Sequence, residues 1–190
     1  MQQLLKEIHQ CQTCAGELPF SPQPIIQLDP KASILIIGHA PGMAAHKSAT
    51  PWRDPSGVRL RDWMGISEQQ FYDASQVAIM PMGFCYPGKG RSGDLPPRKE
   101  CAPQWHNRTL AKLPNVKLTL IIGSYAQAYY LGNASSLTDK VKSAAQFLPA
   151  NFPLPHPSPR NNLWLARHPW FERDILPTLR ANVQSALGNI

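Results

Sequence analysis

The chain has 190 residues, a length that suits one domain with a substantial hydrophobic core. Its 19 Lys and Arg against 12 Asp and Glu give a formal charge of +7, which favours a polyanion such as nucleic acid as partner, although such a charge can also serve solubility alone. The first residues, MQQLLKEIHQCQTC, mix charged with apolar side chains and have the pattern of neither a signal peptide nor a membrane span, so we expect a cytoplasmic protein that does not bind membranes.

Four apolar segments have the length and composition of β-strands. In chain order they are SILIIG (33–38), VAIMPM (77–82), LTLIIG (118–123) and the weaker FPLPH (152–156). Helical spacing is found over 56–66, 96–113, 124–132 and 168–187, and Pro177 is expected to bend or interrupt the last of these helices. This order of strands and helices predicts an α/β domain.

Three loops rich in glycine or proline follow predicted strands, over residues 38–52, 83–97 and 156–162. Right-handed crossovers place the carboxyl ends of parallel strands at one edge of the sheet, where open α/β folds bind ligands. We find no internal repeat, and the proline-rich loops are spread too evenly to mark a boundary. The sequence therefore predicts a single domain over residues 1–190.

Four cysteines are candidate metal ligands: Cys11, Cys14, Cys85 and Cys101. In a reducing compartment they are better interpreted as ligands or buried thiols than as disulfides. The Cys-x-x-Cys spacing lets two sulfurs converge from one tight loop, and soft thiolates bind iron–sulfur clusters or zinc. Spacing alone does not separate iron from zinc, and the alternatives are small buried apolar side chains or a vestigial site.

The GHAPG segment after the first strand and HPSPRNN after the last resemble the two signature motifs of the uracil-DNA glycosylase superfamily, with the likeness covering nearly the whole chain. The four cysteines are similar to those of its iron–sulfur (family 4-like) branch, where they hold a [4Fe–4S] cluster. The HPSPRN form is similar to the single-strand-selective monofunctional uracil glycosylases, so the chain combines features of two branches. The resemblance implies a three-layer α/β/α sandwich with a central, mainly parallel four-stranded sheet, in which residues 1–30 form an amino-terminal extension supplying two cysteines.

The resemblance also implies which residues carry the chemistry. His156 is the candidate donor to a carbonyl oxygen of the departing base, where negative charge develops, and a structural histidine is the alternative. His39 stands where glycosylases of the iron–sulfur branch usually have glutamate, and Ala40 stands where several other branches have Asn or Asp. We expect a neutral His39 to orient the water, with His46 in reserve.

Base binding is assigned to the first loop and to the end of the second strand. Trp52 occupies the position of a phenylalanine that stacks on the flipped base in the iron–sulfur branch, although a core role is the alternative. Pro81 stands where that branch reads the uracil edge with asparagine, so direct amide readout is lost there. The expected substrate-binding residues are Gly38, Ala40, Pro41, Gly42, Trp52, Pro81 and Met82.

The resemblance implies that the loop after the last strand enters the minor groove and helps to hold the extruded nucleotide out of the stack. Arg160 is the expected wedge or phosphate contact, and a solvated surface charge is the alternative. The expected DNA-binding residues are Ser158, Pro159, Arg160 and Asn161.

Together these features predict a monomeric DNA repair glycosylase, of weak activity or altered specificity, that hydrolyses the N-glycosidic bond of uracil or a related damaged base flipped out of DNA. Its expected cofactor is a [4Fe–4S] cluster, with zinc or no metal as alternatives. A non-catalytic member that binds DNA or a nucleobase is the second hypothesis. A hydrolase of small nucleosides is disfavoured, because the net charge and the wedge-like loop would then serve no purpose.

Overall fold

The computed structural model of the protein describes residues 1–189. Four strands form one parallel sheet in the order β2-β1-β3-β4. Their bounds are β1 Ile34–Ile37, β2 Val77–Ile79, β3 Leu118–Ile122 and β4 Asn151–Leu154. All four predicted strands are confirmed. The weaker one contains Pro153, which is tolerated because β4 lies at the edge of the sheet.

Nine α-helices are found within residues 1–189, and they cover both faces of the sheet. Their bounds are α1 Gln2–His9, α2 Met43–Ser48, α3 Pro55–Met64, α4 Glu68–Tyr72, α5 Cys101–Leu110, α6 Gly123–Leu131, α7 Leu137–Lys142, α8 Asn162–Arg167 and α9 Leu176–Leu187. None of them is long and apolar enough to cross a membrane.

The core lies in two layers because successive strand residues point to opposite faces of the sheet. On one face, Ile34 and Ile36 of β1 pack in a cluster with residues of α3, α4, α7 and α9. On the other, Leu35 and Ile37 pack with residues of α1, α5 and α6. This arrangement is a three-layer α/β/α sandwich with an all-parallel sheet, so the predicted fold class is confirmed.

Differences from the sequence prediction concern the helices. The sequence patterns did not predict α1, α2, α4, α7 or α8, all of eight residues or fewer. Capping boxes that begin at Ser67 and Ser136 mark two of these starts. The helix predicted over 168–187 is interrupted, as expected from Pro177. One π-helical turn over Phe171–Ile175 precedes α9. Pro177 lies in the first turn of α9, where no backbone N–H is needed.

Candidate functional site

A cavity of about 450 Å³ opens at the carboxyl edge of the sheet, where the three predicted loops meet. Twelve residues named from the sequence line it: Gly38, His39, Ala40, Pro41, Gly42, Trp52, Pro81, His156, Ser158, Pro159, Arg160 and Asn161. The fold therefore brings together residues that are more than a hundred positions apart in the chain.

His156 follows β4 and is held by its own loop. The backbone N–H of Ser158 donates to Nδ1 at 3.2 Å, and the Asn161 side-chain amide donates to the His156 carbonyl at 2.7 Å. Because Nδ1 accepts, the ring proton lies on Nε2, which can donate to a ligand. Burial, and secondarily the neighbouring His39, lowers the pKa of His156 to about 4, so the imidazole is neutral near pH 7.

Trp52 forms a wall of the cavity in a strained backbone conformation, with φ +56°. The Tyr72 hydroxyl donates to its carbonyl at 3.3 Å. The indole lies against Gly38, where an added Cβ would come within 2.8 Å of the ring. Its ring is 5.5 Å from that of His156 with an interplanar angle of 29°. The two rings are thus stacked in the same cavity.

His39 lies on the first loop, and its imidazole makes a T-shaped contact with the Tyr125 ring, at 5.2 Å between centroids. Burial lowers the pKa of His39, and the negative charge of Asp94 opposes that shift. The neutral form is therefore favoured, as the proposed water-orienting role requires. His46, the reserve candidate, stacks on Phe20 at 4.8 Å and is not among the residues that line the cavity.

Pro81 and Met82 are placed differently although they are neighbours. Pro81 lines the cavity, whereas Met82 is 7% exposed and packs in the core beneath the sheet edge. The Pro81 carbonyl accepts a hydrogen bond from Nε2 of the fully buried His106 at 3.1 Å, and Nδ1 of that ring accepts from the Tyr130 hydroxyl at 2.6 Å. A buried polar chain therefore fixes the backbone at this position.

Arg160 joins the last loop to the second one, because its Nη1 donates to the Ser92 carbonyl at 2.8 Å. The Ser158 hydroxyl accepts from the Arg160 backbone N–H at 3.2 Å, and Arg59 of α3 donates to the Ser158 carbonyl at 3.2 Å. The loop expected to contact DNA is thus held by α3 on one side and by the second loop on the other.

Two carboxylates that sequence reasoning did not assign also line the cavity, Asp54 and Asp94. Asp54 caps α3 by accepting from the Gly57 backbone N–H at 2.9 Å. Asp94 comes from the second loop. The signal that could have found it is its position in KGRSGDLPP, a glycine- and proline-rich loop already assigned to the ligand-binding edge.

All four cysteines line a second cavity, of about 30 Å³, whose other walls are mainly apolar and include Ile8, Phe84 and Trp105. Within residues 1–189 no three His, Cys, Asp or Glu side chains form a compact group around one point. The sulfurs therefore surround a space rather than converge on a single position, and the thiols are free.

Two of these sulfurs are partly buried, and burial favours their neutral thiol form. Burial raises the pKa of Cys85 to about 11 and that of Cys101 to about 12, so neither is a thiolate near pH 7 unless a metal compensates. The Phe84 backbone N–H donates to Sγ of Cys101 at 3.3 Å, a contact that stabilises a sulfur ligand.

Residues 25–180 match the family model described as the Uracil DNA glycosylase superfamily. The matched range contains all three loops of the large cavity. Cys11 and Cys14 lie before it.

Proposed function

We propose that this chain, which belongs to the uracil DNA glycosylase superfamily, hydrolyses the N-glycosidic bond of uracil or a related damaged base flipped out of DNA. The observation that carries the proposal is a neutral His156 in the large cavity, with Nδ1 occupied and Nε2 available as a donor.

His156 would act on the leaving group. As the bond between the base and C1′ breaks, its electron pair moves onto the base and spreads over the carbonyl oxygens. A fixed Nε2–H donor stabilises that charge more than it stabilises the uncharged base, which lowers the barrier. Since burial keeps the imidazole neutral, it serves as a hydrogen-bond donor and needs no added proton.

Trp52 and the first loop would bind the flipped base. The indole offers a flat apolar face in the cavity, and Tyr72 holds its backbone in place. Gly38 leaves the space that the indole ring occupies. Pro81 presents no side-chain amide for the base edge, which supports a specificity other than strict uracil recognition.

The loop that carries Ser158, Pro159, Arg160 and Asn161 would contact the DNA backbone and fill the gap left by the extruded nucleotide. Flipping costs a few kcal/mol, which these contacts must offset. The net charge of +7 supports attraction to a polyanion.

A [4Fe–4S] cluster held by Cys11, Cys14, Cys85 and Cys101 is our proposal for the second cavity, with zinc as the alternative ligand. Four sulfurs around one small, mainly apolar space, one of them accepting a backbone hydrogen bond, fit such a group. Bound there, the cluster would supply a structural cross-link between the amino-terminal segment and the loop over 85–101.

A non-catalytic member that binds DNA or a nucleobase is the second candidate, because the first loop has His39 and Ala40 where related enzymes have carboxylate or amide side chains. The deciding experiment is base release from single- and double-stranded oligonucleotides that carry uracil or one of a panel of damaged bases, read by alkaline scission. Release of any of these bases supports the enzyme. Tight binding without release supports the binding module.

A further inference from the structure

The second loop brings a carboxylate against the first loop, where the sequence of the first loop offers none. Asp94 lines the large cavity, and a Cβ built on Gly42 would lie 3.2 Å from its Oδ2. The carboxylate therefore lies beside Gly42 of the GHAPG segment. Gly42 has no side chain to keep it away.

The Asp94 carboxylate influences the pKa values of two nearby side chains, His39 and Tyr86. Its charge opposes the burial that lowers the pKa of His39. Burial raises the pKa of the Tyr86 hydroxyl, and the neighbouring Asp94 carboxylate adds to that shift. Asp94 is thus close enough to both His39, the residue proposed to orient water, and Tyr86 of its own loop to influence their pKa values.

The backbone around Asp94 is held at several points. Asp94 forms an isolated antiparallel bridge with Lys89, and the next residue, Leu95, donates its N–H to the Gly88 carbonyl at 2.8 Å. Arg160 donates to the Ser92 carbonyl just before it. The carboxylate is consequently presented by a braced loop rather than by a free one, as a preorganised catalytic group requires.

The other carboxylate of the cavity already has a structural partner. Asp54 accepts the Gly57 backbone N–H as the cap of α3. His39 as a neutral ring can orient a water molecule but has no charge to stabilise a cationic sugar. Asp94 caps no helix; it lines the cavity beside the Tyr86 hydroxyl, with which it shares a hydrogen bond, and its carboxylate can supply the negative charge.

We propose that Asp94 is the catalytic carboxylate of this site, a role that rests on the proposed glycosylase function. The water oxygen forms a bond to C1′ while the bond from C1′ to the base nitrogen breaks, and that electron pair leaves with the base. The water proton passes to the Asp94 carboxylate and then to solvent. The departing base, stabilised by His156, takes a proton from solvent. The negative charge of Asp94 also stabilises the positive charge that develops on the sugar.

The test compares Asp94→Asn with the parent in single-turnover base release and in binding to duplex DNA. We expect the rate to fall about 10²- to 10³-fold, in the range that a general base supplies, while affinity for DNA stays equal or rises because a negative charge is lost. Asp62→Asn removes the same charge from an exposed side chain of α3 and should change neither quantity.

The outcomes separate this inference from the function on which it rests. If the parent releases base and Asp94→Asn releases it at the same rate, Asp94 is not the catalytic carboxylate, and the proposed glycosylase function still holds. A parent that releases no base from any substrate would overturn both. If Asp94→Asn unfolds, Asp94→Ala with added formate serves instead. Recovery of the rate with formate supports the catalytic role of the Asp94 carboxylate. A folded Asp94→Ala variant whose rate formate does not restore contradicts that role.

Discussion

The Ser158 backbone N–H donates to Nδ1 of His156 at 3.2 Å, and this contact assigns the ring proton to Nε2. The donor sits two residues after the histidine, on a stretch where Ser158 itself caps the following short 3₁₀ turn. The local sequence HPSPRN thus sets both the position and the tautomer of the catalytic candidate.

Replacing His156 with alanine should lower the single-turnover rate by about 10²-fold or more, because the donor to the departing base is lost. Binding to a duplex with an abasic site should change little, since the leaving group is absent there. Base release and binding measured on the same preparation separate the two effects. His9→Ala, an exposed histidine of α1, is the control. Full activity of His156→Ala would exclude its role.

The buried His106 predicts a loss of stability in acid. Burial lowers its pKa in the folded protein to about 4, against about 6.5 when unfolded, so the unfolded state binds a proton first as pH falls. Its contribution is complete above pH 6.5 and is lost as pH falls toward 4. Between pH 7.5 and pH 5 the free energy of unfolding should fall by about 2 kcal/mol on this account.

Urea unfolding of the parent and of His106→Gln at those two pH values measures this contribution. The glutamine does not titrate, so the variant should show a smaller difference between pH 7.5 and pH 5, whatever its absolute stability. The exposed His9→Gln should keep the parent's difference. An unchanged difference in His106→Gln would show that the acid sensitivity arises elsewhere.

Sequence reasoning located the sheet and the edge of the site because both depend on local signals. Apolar runs such as SILIIG mark buried strands, and the carboxyl-edge rule then gathers the loops after them. It assigned Met82 to the site because it could not tell which of two adjacent residues faces the cavity. Successive extended residues point in opposite directions, and here Pro81 faces the cavity while Met82 enters the core.

Asp94 was not predicted, and its proximity to Gly42 depends on how two loops pack in three dimensions. The Arg160 contact with Ser92 helps to set that packing, across nearly seventy residues of chain. No local pattern encodes such a pairing. The cysteines were expected to come together only through a family likeness; all four line one cavity, but their sulfurs do not converge on one point.

The cysteine cavity predicts a metal that can be seen directly. Protein purified without oxygen should be brown and contain iron and sulfide, and Cys85→Ala should lose both and unfold at lower denaturant, because metal binding contributes to folding. Metal analysis and a denaturant titration check this. Colourless protein with stoichiometric zinc would contradict the iron–sulfur cluster and would support a zinc site at the same cysteines. Unchanged metal in Cys85→Ala would show that Cys85 is not a ligand.

Replacing Arg160 tests the proposed mode of DNA binding. Its guanidinium is tied to the Ser92 carbonyl, and Gly93 permits this approach, since a Cβ there would lie 2.0 Å from Nη1. If Arg160 fills the gap beside an extruded nucleotide, Arg160→Ala should weaken binding to a duplex with an abasic site more than binding to an intact duplex. The salt dependence of binding should also become shallower by about one unit of slope if the residue touches a phosphate.

Binding of both duplexes across a series of salt concentrations measures these effects. Arg173→Ala, which removes an exposed arginine paired with Asp174, is the matched control and should leave the preference for the abasic site unchanged. If Arg160→Ala weakens binding to both duplexes equally, Arg160 is a phosphate contact and does not fill the gap beside an extruded nucleotide. No weakening on either would leave its bond to Ser92 as its role, since that bond braces the loop that carries Asp94.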